Sequence, residues 1–90
     1  MNIELLKNLC ELPGIPGNEE RVREFIEQQI SDIDCEVMTD PMGNMIVHVP
    51  GDGEAVQLLC HMDEIGFMVN YITDDGFIHV QPLGGFDPRN

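Results

Sequence analysis

The feature that most constrains this fold is the six-residue run Ala-Val-Gln-Leu-Leu-Cys at positions 55–60, in which every residue but Gln57 is apolar. A strand this apolar is typical of the middle of an α/β sheet, where other elements cover both of its faces. The helical patterns lie only before it in the chain, and two helices can cover one face of a sheet but not both. The sequence therefore predicts an α/β fold in which one face of this strand stays uncovered by these 90 residues.

The first third of the chain is predicted to be helical. Apolar residues recur at helical spacing over 3–12, and Pro13 stops that pattern. After a connector of turn-forming residues, Asn18 is suited to an N-cap, and an apolar stripe runs from Val22 to Ile33. These patterns predict two helices joined by a short loop.

From Cys35 onward the apolar period changes to two, which is typical of strands. Two hairpins are predicted, with the strand 55–60 between them; their strands cover 35–39 and 45–49, then 67–72 and 77–81. The predicted order is two helices followed by about five strands.

The charge balance excludes several classes of protein. Seventeen acidic residues against four basic ones give a net charge of −13. Nucleic acids and anionic membranes require a basic surface, so neither is an expected partner.

The apolar runs and the cysteines bear on where the protein is found. The chain has no transmembrane run and no signal-peptide pattern. An odd number of cysteines (Cys10, Cys35 and Cys60) argues against a disulfide scaffold. We therefore expect a cytoplasmic protein with buried, reduced thiols.

The residues best suited to chemistry follow the apolar strand directly. In an extended chain His61 and Asp63 face the same side, at the edge where α/β sheets place their ligand sites. An imidazole there can bind a metal through one nitrogen while a carboxylate orients it through the other. A histidine that merely caps the strand end fits the same pattern. One histidine and one aspartate cannot complete a zinc site, which needs about four ligands.

The other candidates are weaker. Cys60 and His61 are adjacent on a strand, so their side chains point to opposite faces and cannot form a nucleophile–base pair. His48 and His79 lie inside strand patterns and are predicted to be sheet-surface residues. The sequence contains no Gly-rich phosphate loop, Cys-x-x-Cys pair or G-x-S-x-G elbow.

The run CHMDEIGFMVNYITDDGFIHVQPLGGFDPR (60–89) resembles the tetrahedral and glutamyl aminopeptidases, which are cytosolic dinuclear-metal exopeptidases, some of them labelled endoglucanases. The connector LPGIPGNEE (12–20) and the turn DPMGNMIV (40–47) are also similar to that family. The resemblance covers essentially the whole chain. It implies the N-terminal part of a zinc-exopeptidase-like three-layer α/β/α fold with a mixed sheet.

The resemblance also implies roles for two residues. His61 matches the first metal-binding histidine of the family, and Asp63 matches the acid that orients it. The family's bridging aspartate, further carboxylate ligands, glutamate general base and second histidine have no counterpart in the 90 residues. A full-length parent is expected to bind two divalent metal ions (zinc or cobalt), to cleave peptide substrates and to form a homo-oligomer. Cys60 departs from the small residue more usual at its position.

The resemblance divides the chain into 1–82, the N-terminal part of the catalytic domain, and 83–90, the truncated start of an inserted β domain. The chain alone is expected to be inactive. Two alternatives stay open: a non-catalytic acidic interaction module that pairs with another subunit, and a glycoside hydrolase. The second needs two carboxylates flanking a sugar, and the sequence nominates no such pair.

Overall fold

The computed structural model describes residues 2–85, Asp87 and Arg89. In that part of the chain the elements are α1 (Ile3–Glu11), α2 (Glu20–Gln29), β1 (Glu36–Thr39), β2 (Met45–His48), β3 (Gly66–Ile72) and β4 (Ile78–Leu83). The predicted order of two helices followed by strands is confirmed. Phe86 and Pro88, which belong to the GGFDPR block of the predicted segment 83–90, lie outside the described residues, as do Met1 and Asn90.

Both helices begin at polar residues. Asn2 caps α1, since its Oδ1 accepts a hydrogen bond of 3.1 Å from the Leu5 amide. The α2 helix begins one position later than predicted, with Glu19 at its N-cap. The backbone amide of Asn18 is instead bonded to the Ile15 carbonyl at 2.9 Å, inside the tight turn of the connector. The connector is therefore an ordered turn.

The four strands form two antiparallel hairpins, as the sequence predicts. In the first, β1 pairs with β2, so that Glu36 lies opposite His48. In the second, β3 pairs with β4, and an irregularity between Val69 and Tyr71 shifts the register. Within the described residues the two hairpins are separate two-stranded sheets. The mixed sheet that the family resemblance implies for a longer protein is not present among the described residues.

The predicted strand 55–60 is where the structure departs most from the sequence analysis. The segment forms no ladder with the described strands, and it is exposed instead of covered on both faces. Val56, Leu58 and Leu59 are 85%, 91% and 85% exposed. The prediction of a fifth strand, with one face covered by the helices, is wrong for the described residues.

The chain is also much less compact than a self-sufficient domain. Its radius of gyration is 17.5 Å, whereas a compact chain of this length has about 12 Å. Its accessible surface is 8001 Å², against roughly 5,300 Å² for a folded monomer of this mass. Val22 is the one buried apolar residue in the described part of the chain. The elements are formed, but they share almost no common core.

The turn between β1 and β2 is held by the carboxylate of Asp40. Its Oδ1 accepts hydrogen bonds of 2.9 Å from the amides of Met42 and Asn44, and its Oδ2 accepts one of 2.8 Å from the Asn44 side chain. Gly43 occupies the left-handed region with φ of 87°, which suits a residue without a Cβ. The bond from the Asn44 side chain is the main cause that lowers the pKa of Asp40 below its ordinary value of 3.8.

This turn should make the first hairpin sensitive to acid. Because the pKa of Asp40 is lower in the folded turn than in an unfolded chain, its contribution to stability is complete above about pH 4 and is lost as the pH falls through the lowered value. The amide signals of Met42 and Asn44, followed by NMR during acidification, should report this loss. Asp40→Asn should make these signals insensitive to pH, whereas Asp52→Asn in an exposed loop should leave the acid transition in place.

Candidate functional site

The candidate site lies just before β3, where His61 and Asp63 are close together. Nδ1 of His61 is 2.9 Å from the backbone carbonyl oxygen of Asp63 and 3.4 Å from Oδ1 of its carboxylate. The His61 side chain is 85% exposed and that of Asp63 is 39% exposed. The sequence correctly predicts that the two residues lie side by side, but the shorter contact is to the backbone of Asp63 and not to its carboxylate.

This geometry determines which nitrogen of His61 is free. A carbonyl oxygen can only accept a hydrogen bond, so Nδ1 must carry a proton to make the 2.9 Å contact. In the neutral ring Nε2 then holds the lone pair. A metal-binding histidine commonly has this arrangement, in which one nitrogen donates to a backbone or carboxylate oxygen and the other binds the metal.

The segment that contains Asp63 is anchored to the connector between the helices. The amide of Glu64 donates a hydrogen bond of 2.7 Å to the carbonyl of Gly14. A methyl group on Gly14 would lie 2.7 Å from Cγ2 of Val22 and 3.4 Å from the Met62 carbonyl, so there is no room for one. The composition of the connector predicts a turn but carries no signal for this contact.

A second close contact anchors the other end of the same segment. A methyl group on Gly66 would overlap Cγ2 of Ile15, which therefore packs directly on the glycine backbone. Gly66 lies at the start of β3, and the absence of a side chain there lets Ile15 approach the backbone. Two tight contacts, from Glu64 to Gly14 and from Gly66 to Ile15, thus hold the segment that directly follows Asp63.

His61 also lines an apolar groove of about 310 Å³ between the two helices and residues 60–64. The groove is lined mainly by side chains of α1, α2 and the residues around His61, namely Leu9, Cys10, Leu12, Val22, Ile26, Cys60, Met62 and Glu64. Cys10 and Cys60 are exposed and Cys35 is half-buried, and all three are free thiols. The prediction of buried cysteines is therefore wrong, because the groove that would bury two of them is open.

The described residues fit one position of a metal site but not a complete one. Nε2 of His61 is an imidazole donor of the right kind. However, no cluster of three or more histidine, cysteine, aspartate or glutamate side chains suited to a metal occurs in the part of the chain that the structure describes. His61 could therefore supply one ligand, and the others would have to come from different residues.

The other two histidines lie on the sheet surfaces, as the sequence predicts. Nδ1 of His48 is 3.5 Å from the Glu36 carboxylate on the neighbouring strand, and both side chains are exposed. The His79 ring lies 5.6 Å from that of Tyr71 across the second hairpin. Neither histidine belongs to the site around His61.

One contact that sequence reasoning missed involves Arg23. This α2 residue donates a hydrogen bond of 2.9 Å from Nη2 to the Gly43 carbonyl, which connects the helix to the first hairpin turn. Its Nε is buried without a hydrogen-bond partner among the described residues. A basic residue beside the apolar stripe of α2 is the sequence signal that could have identified it.

A comparison with protein families matches residues 43–90 to the M42 glutamyl aminopeptidases. Among similar proteins, lysyl aminopeptidase of Pyrococcus furiosus is 41% identical over 87 residues, which are 96% of this chain and 25% of that protein. Glutamyl aminopeptidase of Lactococcus lactis is 33% identical over 86 residues, and 24% of its length is covered.

Among solved structures, the TET1 peptidase of Pyrococcus horikoshii superposes with a TM-score of 0.80 at 41% identity, over 97% of this chain and 26% of that one. That peptidase can assemble into a tetrahedron or a large octahedral shell. The α/β class is confirmed by such matches, which fall on the N-terminal part of the M42 peptidases. The chain spans about a quarter of the length of these relatives. Because the family match covers more than half of its residues, the chain belongs to the M42 glutamyl aminopeptidase family.

Proposed function

We propose that this chain forms the N-terminal portion of a metal-dependent aminopeptidase that removes N-terminal residues from peptides. The proposal is carried by the contact of the His61 imidazole: its Nδ1 lies within hydrogen-bond distance of the Asp63 carbonyl oxygen, which leaves Nε2 free to bind a metal. Family membership supplies the reaction class, since relatives that cover nearly the whole chain are aminopeptidases.

In this proposal His61 is a metal ligand and Asp63 orients it. The Asp63 backbone oxygen fixes the tautomer, and the nearby carboxylate places negative charge beside the ring, which makes Nε2 a better donor. A divalent metal bound there would polarise the scissile carbonyl and lower the pKa of a bound water. The described residues complete neither the metal site nor the proton transfer, so the remaining ligands and the general base must come from sequence outside the 90 residues.

The other parts of the proposal rest on the resemblance to the family. Two divalent ions, zinc or cobalt, would occupy the complete site. Residues 1–82 would belong to the catalytic domain, and 83–90 would begin an inserted β domain. The assembly would be a cytoplasmic homo-oligomer, which the shells formed by the related TET1 peptidase support. In the described residues, no helix is long and apolar enough to cross a membrane.

A second candidate function is a non-catalytic acidic module that pairs with another subunit. The exposed apolar segment 55–60 favours it, because a partner strand could cover that segment. This candidate predicts binding without turnover, and it needs no free nitrogen on His61.

Grafting this chain onto a related aminopeptidase distinguishes the two candidate functions. The chain replaces the matched quarter of Pyrococcus furiosus lysyl aminopeptidase, and release of lysine from a lysyl anilide is measured with zinc or cobalt present. We expect metal-dependent activity that a chelator abolishes, because the rest of that protein would supply the missing ligands. A folded, metal-loaded graft without activity would contradict the aminopeptidase and favour the module.

A further inference from the structure

We propose that Gly14, far from His61 in sequence, is a positioning residue that selects the tautomer of His61 through a single peptide unit. The inference rests on the proposed function only in treating Nε2 of His61 as the metal-binding atom. Its geometry stands on the contacts between the connector and the segment around Asp63.

The key group is the peptide bond between Asp63 and Glu64. Its carbonyl oxygen lies 2.9 Å from Nδ1 of His61, and its N–H donates at 2.7 Å to the Gly14 carbonyl. Both atoms belong to one planar unit, so the direction of the N–H fixes the direction of the C=O. The Gly14 carbonyl therefore aims the oxygen that receives the His61 proton.

The three groups form a continuous chain of hydrogen bonds from the imidazole to the connector. His61 Nδ1–H donates to the Asp63 carbonyl, and the N–H of the same peptide donates to the Gly14 carbonyl. Successive hydrogen bonds of this kind polarise one another, so the second bond makes the Asp63 oxygen a stronger acceptor. The proton is thereby held on Nδ1, and Nε2 is left as the electron-pair donor.

The packing explains why a glycine occupies position 14. A side chain there would collide with Val22, the buried residue of α2, and would crowd the Met62 carbonyl. The glycine lets the connector backbone approach residues 62–64 closely enough for the 2.7 Å bond. At the far end of the segment, Ile15 packing on Gly66 limits its sliding.

The Asp63 carboxylate is the competing explanation. Its Oδ1 lies 3.4 Å from Nδ1, longer than the roughly 2.7–2.9 Å of a charge-assisted hydrogen bond. If the Asp63 backbone carbonyl fixes the tautomer, Asp63→Asn leaves the tautomer unchanged. If the Asp63 carboxylate fixes it, Asp63→Asn shifts the tautomer.

The test measures the tautomer of His61 directly, by long-range proton–nitrogen correlation NMR on the metal-free 90-residue chain at about pH 8. Leu58→Lys can be added to limit self-association, because Leu58 is exposed and outside these contacts. The unmodified chain should show mainly the Nδ1–H form at His61, with His48 and His79 as internal references.

Gly14→Ala should lower the ratio of the Nδ1–H to the Nε2–H form by about fivefold, the effect of losing one net hydrogen bond. Gly53→Ala is the matched control, since nothing lies within 4 Å of a methyl group there. A second variant keeps every side chain: replacing Ile15 by its α-hydroxy acid turns the Gly14 carbonyl into an ester, which is a weaker acceptor. Ligation at Cys35 and Cys60 makes that chain accessible to synthesis.

The proposal is supported if the ratio of the Nδ1–H to the Nε2–H form falls both in Gly14→Ala and in the ester variant, and does not change in Gly53→Ala or Asp63→Asn. It is overturned if the ester leaves the ratio unchanged, if Asp63→Asn shifts it instead, or if the unmodified chain shows no preference for Nδ1–H. These outcomes are independent of catalysis. An inactive graft with a Gly14-dependent tautomer refutes the aminopeptidase alone, and an active graft with an unresponsive tautomer refutes only the role of Gly14.

Discussion

In the grafted aminopeptidase, His61→Ala should reduce kcat/KM for the lysyl anilide by at least about 100-fold, because a metal would lose one of its few protein ligands. Alanine leaves nothing at this position that can bind a metal. The 90-residue chain by itself should release no amino acid, even with cobalt or zinc added, since the described residues hold no cluster of metal ligands.

His79→Ala is the matched control for this change. His79 is also exposed and also carries an imidazole, but it lies on β4 beside the Tyr71 ring. Its replacement should change kcat/KM by no more than about twofold, as expected of a surface position. Equal losses for the two alanine variants would mean that activity depends on fold stability and not on a ligand at His61.

The isolated chain should self-associate through residues 55–60. It exposes roughly 2,700 Å² more surface than a compact monomer of its mass, and the most exposed apolar side chains of this segment are Val56, Leu58 and Leu59. Patches of this kind mark interaction sites or aggregation-prone surfaces. The net charge of −13 opposes close approach, so association should strengthen as salt screens that repulsion.

Replacing Val56 and Leu58 by lysine should weaken self-association by at least about 100-fold, because each side chain contributes roughly 1.5–3 kcal/mol when buried. Met42→Lys is the control, since Met42 is 86% exposed but stands alone in a turn. Sedimentation velocity at moderate salt measures the effect. A compact monomer of 10.1 kDa in the unmodified chain would show that the segment is covered within one molecule.

The elements that could be predicted from the sequence are those whose partners are close in the chain. Both hairpins are local, and the Asp40 turn contains its own acceptor and donors within five residues. The start of α2 was predicted one residue early because Asn18 belongs to the Ile15 turn, a choice that depends on the connector geometry.

What could not be predicted depends on distant or absent neighbours. The apolar run 55–60 predicts a strand, but the segment pairs with none of the described strands and stays exposed. The closeness of His61 and Asp63 could be predicted from their spacing, whereas their roles at a metal site stay a prediction. The hydrogen bond from Glu64 to Gly14, 50 positions away, could not, because backbone atoms leave no mark in the sequence.

Zinc calorimetry at neutral pH, on the 90-residue chain and on the graft, shows whether this chain supplies one ligand to a metal site that other sequence completes. We expect no stoichiometric submicromolar binding by the chain alone. We expect the graft to bind two zinc ions and to lose at least one of them in His61→Ala. Stoichiometric submicromolar zinc binding by the isolated chain that His61→Ala abolishes would contradict this expectation, because the 90 residues would then complete a site by themselves.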